Sequence, residues 1–196
     1  MPLVGHRDLD ALALWSEQKA ADARELIGIG DEIKIDVVDA LRRLRMLGVI
    51  FGCKVVTDES LPLADAQWDP KAKTITLRRS VLDAAKSGDG RSRFTIAHEI
   101  AHAYLQHRYR RNRLAEGQKE FGALLQTQEA EANRFAAAFL CPKRLAGVTA
   151  STSARDLARR FGLSLTAAEY RLNEIRDRRF AILASPQFGM ESGADD

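Results

Sequence analysis

The chain has 196 residues, of which 45% are hydrophobic and 29% are charged. This length and composition are typical of one ordinary folded domain and exclude a largely disordered chain. The chain has 30 Lys and Arg residues and 27 Asp and Glu residues, which gives a net charge of only +3. So small an excess does not by itself indicate a nucleic-acid-binding protein.

The two cysteines, Cys53 and Cys141, are too few and too far apart to form a disulfide framework or a CxxC metal site. They fit a reducing compartment. The N-terminal residues contain neither a basic leader nor a long apolar run, and no segment approaches the ~20 apolar residues of a membrane span. We therefore expect a cytoplasmic protein without membrane contact.

Helical periodicity over residues 9–26 and 33–47 predicts two core helices. The β-branched segments VIFGCKVVT and TITL then predict strands of a small antiparallel sheet. Helices are also predicted over residues 92–107 and 129–140, and Cys141-Pro142 ends the second of these. Two short C-terminal helices follow, with Ser153 and Ser164 as their N-caps. The predicted class is α+β, mostly helical, with the sheet packed beside the helix at residues 92–107.

That helix carries the segment FTIAHEIAHAYLQH, which contains the motif His98-Glu99-x-x-His102. Positions four apart on a helix lie about 40° from each other, so the two imidazoles project from one face and can bind one ion. Glu99 lies about 100° from His98, which is near enough to hold a water molecule at that ion. A non-catalytic zinc site or a hydrogen-bonded polar cluster is the alternative interpretation.

A catalytic zinc site usually has three protein ligands, so one more ligand is needed. His6 has no supporting pattern, and on a continuing helix His107 points about 140° away from His102. The sequence therefore favours His107 as a helix-end residue or hydrogen-bond donor rather than a ligand.

The helix at residues 129–140 offers two carboxylates that face nearly opposite directions, about 200° apart. The face of Glu129 continues through small and apolar residues, whereas Glu131 is placed for a surface pair with Arg134. We choose Glu129 as the third ligand. Asn133 lies one turn further on and is expected to hydrogen-bond to a ligand histidine.

The segments RFTIAHEIAH and EAEANRFAAAFLCP closely resemble the ImmA/IrrE family of zinc metallopeptidases. The resemblance implies one Zn²⁺ held by His98, His102 and Glu129, with Glu99 as the catalytic base, in agreement with the helical-wheel argument. It also implies a protein substrate, often a helix-turn-helix transcriptional repressor. The chain departs from the family pattern at Cys141, where methionine is common, and is expected to lack the N-terminal DNA-reading domain that some members carry.

On this basis residues 1–148 are predicted to form the metallopeptidase domain, 149–185 a helix-turn-helix-like segment, and 186–196 a flexible tail. Tyr104, His107 and Tyr109 are candidates for stabilising the transition state. An extended substrate is expected to pair with an edge strand, for which Thr74, Ile75, Thr76 and Leu77 are the candidates.

A DNA-binding regulator is the competing interpretation. Residues 156–179 resemble a helix-turn-helix, with Gly162 at the turn, Ser164 as a cap and Arg171 on the second helix. The second helix also carries Glu169 and Glu174, so specific DNA binding is possible but not favoured over a packing or docking role.

Overall fold

The computed structural model describes residues 6–108 and 119–177, and side chains for 11–108 and 124–177. The helices are α1 (His6–Leu26), α2 (Val37–Met46), α3 (Arg79–Lys86), α4 (Gly90–Tyr104), α5 (Lys119–Leu140), α6 (Lys143–Ala146), α7 (Ala154–Phe161) and α8 (Leu165–Arg176). The strands are β1 (Gly52–Val56), β2 (Ala66–Asp69) and β3 (Thr74–Arg78), with a 3₁₀ turn at Asp58–Ser60. The predicted α+β class is confirmed. No helix in these ranges is long and apolar enough to cross a bilayer.

The sheet is mixed rather than antiparallel throughout. Its strand order is β1-β3-β2, with β1 parallel and β2 antiparallel to β3. The two segments predicted as an antiparallel pair are β1 and β3, which are parallel to each other, so the prediction of their relative direction was wrong. The reason is β2, an unpredicted strand that forms a hairpin with β3 and lets the chain re-enter the sheet beside β1 in the parallel direction.

The prediction that residues Thr74–Leu77 form an edge strand was also wrong. Thr74, Ile75, Thr76 and Leu77 lie in β3, which pairs with β1 on one side and β2 on the other. Their backbone groups are therefore committed to the sheet. The strand that packs against α4 from the rim of the sheet is β2.

Helices α4 and α5 pack closely against each other, and α1 also packs against α5. Ile96 and Ile100 of α4 and Phe135 and Phe139 of α5 are fully buried in the same apolar cluster. Each such side chain contributes about 1.5–3 kcal/mol when removed from water. This packing fixes α4 relative to α5, which matters because the two helices carry the candidate site.

The start of α4 is attached to the turn between α7 and α8. Asp89 caps α4 by accepting a hydrogen bond from the Ser92 N–H. Arg93 is buried and donates to the carbonyl oxygens of Phe161 and Gly162 at 3.2 and 2.9 Å. Helices α7 and α8 thus share the apolar core of the preceding helices, and the boundary proposed at residue 148 stays a prediction.

Candidate active site

His98 and His102 lie one turn apart on α4, and their side chains converge as the spacing predicts. The two Nε2 atoms are 3.0 Å apart, and the ring centroids are 4.6 Å apart. Both imidazoles are largely buried, with side-chain exposures of 17% and 7%. Buried imidazoles need polar partners, so the surroundings of this pair determine what it can do.

Glu129 brings a carboxylate from α5 to the same point. Its Oε2 lies 3.5 Å from His98 Nε2, and its Oε1 lies 3.6 Å from His102 Nε2. One ligand atom from each of the three residues can be chosen so that all lie within 4.8 Å of one another. The close approach of α5 is possible because Ala132 and Ala136, on the same face as Glu129, are small and fully buried.

Asn133, one turn after Glu129, fixes the orientation of the first histidine. Its Oδ1 lies 3.0 Å from His98 Nδ1. Since an amide oxygen can only accept a hydrogen bond, Nδ1 carries the proton, and Nε2 of a neutral imidazole has a lone pair that is available to a cation. The structure therefore brings together His98, His102, Glu129 and Asn133 as the sequence predicts.

The donor set fits a divalent metal ion such as zinc. Ligand atoms about 2.0–2.1 Å from a tetrahedral ion are about 3.3 Å apart. The two Nε2 atoms are 3.0 Å apart, and each lies 3.5 or 3.6 Å from a carboxylate oxygen of Glu129, Oε2 for His98 and Oε1 for His102. Burial lowers the pKa of His98, but Glu129, Glu99 and Asn133 together raise it above its usual value. Thus the cluster favours one positive charge at its centre, which a cation supplies.

Glu99 lies on the neighbouring face of α4 and is only 8% exposed. Burial raises the pKa of its carboxyl to about 7, the positive charge of His98 and a backbone hydrogen bond from Trp68 lower it, and Glu129 raises it further. A carboxyl group with a pKa near the working pH can both accept and release a proton. This environment suits the predicted role of Glu99 as a base.

His107 lies elsewhere than the helical wheel predicted. Helix α4 ends at Tyr104, and Gln106 adopts a left-handed conformation with φ of 55°. The N–H groups of Gln106 and His107 then donate to the carbonyl oxygens of Ala103 and His102, at 3.2 and 2.9 Å. This is a Schellman motif, in which the chain reverses and the residue at C″ returns beside the residue at C3.

As a result the side chain of His107, at C″, meets the side chain of His102, at C3. His107 Nδ1 lies 2.8 Å from His102 Nδ1, on the opposite edge of that ring from Glu129. The prediction that His107 points away was wrong, because it assumed a helix that continued to residue 107. Its exclusion from the ligand set agrees with this position, behind His102.

The contact that Glu131 makes with His107 was not predicted from the sequence. Glu131 Oε2 lies 3.0 Å from His107 Nε2, and burial raises the pKa of the Glu131 carboxyl above the usual value. The expected surface pair with Arg134 is replaced, because Arg134 donates to Glu174 of α8 at 3.0 Å. The reversal of the chain after α4 brings His107 to this face of α5. The hydrophobic periodicity of the sequence does not predict that reversal.

The pKa values of His102 and His107 are both lower than usual. Burial lowers that of His102 to about 3, helped by the charges of His98 and His107 and opposed by Glu129. Burial also lowers the pKa of His107 to about 4, with a smaller contribution from His98. Both rings are thus neutral at pH 7, and each has one N–H donor and one lone pair.

The remaining candidates lie away from this cluster or outside the described residues. Tyr104 packs its ring on Phe135 at 5.6 Å, and both burial and Asp22 of α1 raise the pKa of its hydroxyl. Tyr109 and the side chain of His6 fall outside the described residues, as does the predicted tail.

The C-terminal helix pair has the local features expected of it. Ser153 and Ser164 are the N-caps of α7 and α8, and Gly162 has a positive φ of 67° between them. Arg171, however, is only 2% exposed and is bound to Glu17, Glu174 and the Cys141 carbonyl oxygen. It stabilises the core and is not available to contact DNA.

An open cavity of about 920 Å³ adjoins the site between α4, α5 and α8. Its lining includes residues of all three helices: Phe94 and Thr95 of α4, Asn133 of α5, and Tyr170 and Asn173 of α8. Asn133 borders both the cavity and His98, whereas His98, His102 and Glu129 are not among the residues that line the cavity.

Comparison with solved structures identifies a protein of similar fold. A protein described as a Mycobacterium tuberculosis transcriptional regulator superposes with a TM-score of 0.52 and 21% sequence identity. The match covers 87% of this chain and 49% of the regulator, so the chain spans about half of that protein's length. No curated protein matches the sequence significantly.

The family comparison covers the site itself. The Peptidase_M78 family model, described as the IrrE N-terminal-like domain, matches residues 60–173. This range is more than half of the chain and includes β2, β3, α4, α5, α7 and most of α8. The protein that bears this His-Glu cluster therefore belongs to the Peptidase_M78 family.

Proposed function

We propose that the protein is a cytoplasmic zinc-dependent endopeptidase that cleaves a regulatory protein, of which a helix-turn-helix transcriptional repressor is the best candidate. One observation carries the proposal. The Nε2 atoms of His98 and His102 and the carboxylate of Glu129 converge on one point beside the buried carboxyl of Glu99, with one donor atom from each within 4.8 Å of the others, in a chain of a peptidase family.

In this proposal the three residues hold the ion. A bound zinc ion would supply Lewis-acid chemistry, lowering the pKa of water and polarising a carbonyl oxygen. The Nε2 atoms of His98 and His102 supply two nitrogen donors, and the carboxylate of Glu129 supplies an oxygen donor. Asn133 keeps the first imidazole in the tautomer that directs Nε2 to the centre of the cluster.

Glu99 supplies the acid–base chemistry. Its carboxylate accepts the proton of the attacking water, and the resulting carboxylic acid gives that proton to the leaving amine. Burial disfavours the charged form and so raises the affinity of this carboxyl for a proton. A glutamine at the same position has similar shape but cannot bind the proton.

The substrate is proposed to lie along β2 as an added strand. This strand packs against α4, and its residue Trp68 lies close enough to Glu99 for a backbone hydrogen bond. A peptide there would direct its scissile bond towards the helix that carries the base. A peptide-bound structure with the chain on another path would remove this part of the proposal.

The substrate class rests on the resemblance to the ImmA/IrrE peptidases. The structurally similar Mycobacterium tuberculosis protein is itself described as a transcriptional regulator. Because this chain spans about half of that protein, its own partners are inferred from the family rather than from the superposition.

The first test is metal analysis of the purified protein and five variants. We expect about one zinc per chain in the wild type and in Glu99→Gln, and loss of zinc in His98→Ala, His102→Ala and Glu129→Ala. Retention of zinc by Glu129→Ala, with its complete loss in Glu131→Ala, would show that the third ligand is wrongly assigned.

The second test is cleavage. Wild type and Glu99→Gln are incubated with the repressor encoded nearest to the protein's gene, and products are identified by mass spectrometry. We expect a small number of cuts with the wild type and none with Glu99→Gln. Equal cutting by both would exclude Glu99 as the base, and zinc binding without any cut would reject this repressor as the substrate.

A further inference from the structure

We propose that His107 and Glu131 are positioning residues that hold the imidazole of His102 in one tautomer and one orientation for metal binding. This inference rests on the proposed metal site and adds two residues to it. The chain of contacts runs from Glu131 Oε2 to His107 Nε2 at 3.0 Å, and from His107 Nδ1 to His102 Nδ1 at 2.8 Å.

Metal binding through Nε2 of His102 determines the donors and acceptors in this chain. An Nε2 atom that binds an ion has no proton, so the proton of the His102 imidazole lies on Nδ1. The two Nδ1 atoms are 2.8 Å apart, so His107 Nδ1 is the acceptor of that proton. His107 then carries its own proton on Nε2 and donates it to Glu131.

The Nε2 lone pair of His102 is directed to the centre of the cluster, where Glu129 Oε1 lies 3.6 Å away. The two ligand histidines are thus oriented by different means. His98 donates to the neutral amide of Asn133, whereas His102 donates into a chain that ends at a carboxylate. A carboxylate at the end of such a chain makes the imidazole a stronger donor to a metal ion.

The position of His107 is set by the backbone, which argues against a chance contact. The Schellman motif after α4 requires a left-handed residue, and here this residue is Gln106 rather than glycine. A non-glycine residue in this conformation costs about 1–2 kcal/mol. The main chain of His107 is held a second time, because the Trp68 indole donates to its carbonyl oxygen at 3.1 Å.

The side chain of His107 is also well enclosed, since the residue is only 4% exposed. If its role were simply to fill space, an apolar side chain would serve as well and would avoid the cost of burying two polar nitrogens. Its two nitrogens instead both have partners, one on each side.

The test compares three variants by zinc affinity, measured in competition with a chelator and with zinc as the only ligand. His107→Leu removes the connection, whereas His107→Gln can accept from His102 with its amide oxygen and donate to Glu131 with its amide nitrogen. Glu131→Gln keeps the shape of the partly exposed end of the chain but removes its charge. Glu169→Gln, on the exposed face of α8, is the matched control.

We expect zinc affinity to fall about 10- to 100-fold in His107→Leu, to recover largely in His107→Gln, and to fall by a smaller factor in Glu131→Gln. Glu169→Gln should bind zinc as the wild type does. Unchanged affinity in both His107→Leu and Glu131→Gln would overturn the proposal. The Glu131→Gln result decides the question if His107→Leu does not fold.

A second measurement does not depend on metal. Nitrogen NMR of histidine-labelled, metal-free protein reports which ring nitrogen of His102 carries the proton. We expect the Nδ1–H form in the wild type and a mixture of tautomers in His107→Leu. The same single tautomer in both would overturn the positioning role, whereas a wild type that binds no zinc would instead reject the proposed function.

Discussion

The indole N–H of Trp68 donates a hydrogen bond to the main-chain carbonyl oxygen of His107, with 3.1 Å between the two heavy atoms. This contact joins β2 to the chain reversal after α4. The backbone of Trp68 also opposes the rise in the pKa of Glu99. One residue of the sheet is thus connected to the candidate base and to the segment that supports His102.

Replacing this indole should destabilise the protein. Trp68→Phe leaves the buried carbonyl of His107 without its donor, which costs about 1–3 kcal/mol. Urea unfolding of the metal-free protein measures this loss. The chain has one other tryptophan, Trp15, which is 38% exposed. Trp15→Phe should change stability by at most about 0.5 kcal/mol, and equal effects of the two changes would contradict the assigned role of Trp68.

Loss of the amide at position 133 should weaken metal binding without unfolding the protein. Asn133→Ala removes the acceptor for His98 Nδ1–H, so zinc affinity should fall about 10- to 100-fold in a chelator competition. Asn133→Asp keeps an acceptor oxygen and should retain most of the affinity. Asn173→Ala changes another asparagine of the same cavity and serves as the control. If Asn173→Ala lost as much zinc affinity as Asn133→Ala does, a specific role for Asn133 would be rejected.

A single methyl group at position 90 should separate α4 from the C-terminal helix pair. A Cβ atom on Gly90 would lie 2.2 Å from the Ser164 nitrogen and 2.3 Å from the carbonyl carbon of Leu163. Gly90→Ala should therefore cost about 1–3 kcal/mol or more, because backbone atoms must move.

The comparison variant for that experiment is Gly88→Ala. A Cβ there meets no atom within 4 Å, although its φ of 92° strains an alanine. Thermal unfolding should show a clearly larger loss for Gly90→Ala than for Gly88→Ala. The reverse order would mean that the turn between α7 and α8 does not restrict the start of α4.

The two cysteines should differ sharply in reactivity. Burial raises the pKa of the Cys141 thiol to about 11, partly offset by Arg171, and the residue is fully buried. At pH 8 only about one thiol in a thousand would be ionised, and the thiolate is the reactive form. Cys53 is only partly buried, although burial raises its pKa as well.

A thiol reagent such as DTNB should accordingly modify one cysteine of the native protein and both after unfolding in urea. A Cys53→Ala variant should then show no rapid reaction in the native state. Rapid native reaction of that variant would contradict the burial of Cys141.

The sequence predicts the contacts made within one helix or along one helix face. The spacing of His98, Glu99 and His102 and the choice of Glu129 depend only on helical geometry and on which residues are small. The caps at Ser153 and Ser164 are equally local, since each side chain accepts a hydrogen bond within its own first turn.

The errors arise where the outcome depends on distant contacts. Strand β2 has four residues and lacks β-branched side chains, so its place is set by pairing with β3. Helix α3 has eight residues and was not predicted, although Val81, Leu82 and Ala85 are buried against the core. Helix α5 begins at Lys119, well before the predicted start at residue 129.

His107 shows the same limit within the site. A glycine after α4 would have indicated a helix end, but the left-handed position is occupied by Gln106. With no such signal, helical periodicity continued to residue 107 and gave the wrong direction for the side chain. The contact with Glu131 could therefore be found only from the folded chain.

Helix α4 is held at both of its ends by other parts of the chain. At its start, Gly90 and Arg93 contact the turn between α7 and α8, and after its end His107 is bonded to Trp68 of the sheet. Neither end can fray without breaking tertiary contacts. The amide protons between the two attachment points should thus exchange with solvent only when the whole domain opens, so His98, Glu99 and His102 keep their relative positions as long as the protein is folded.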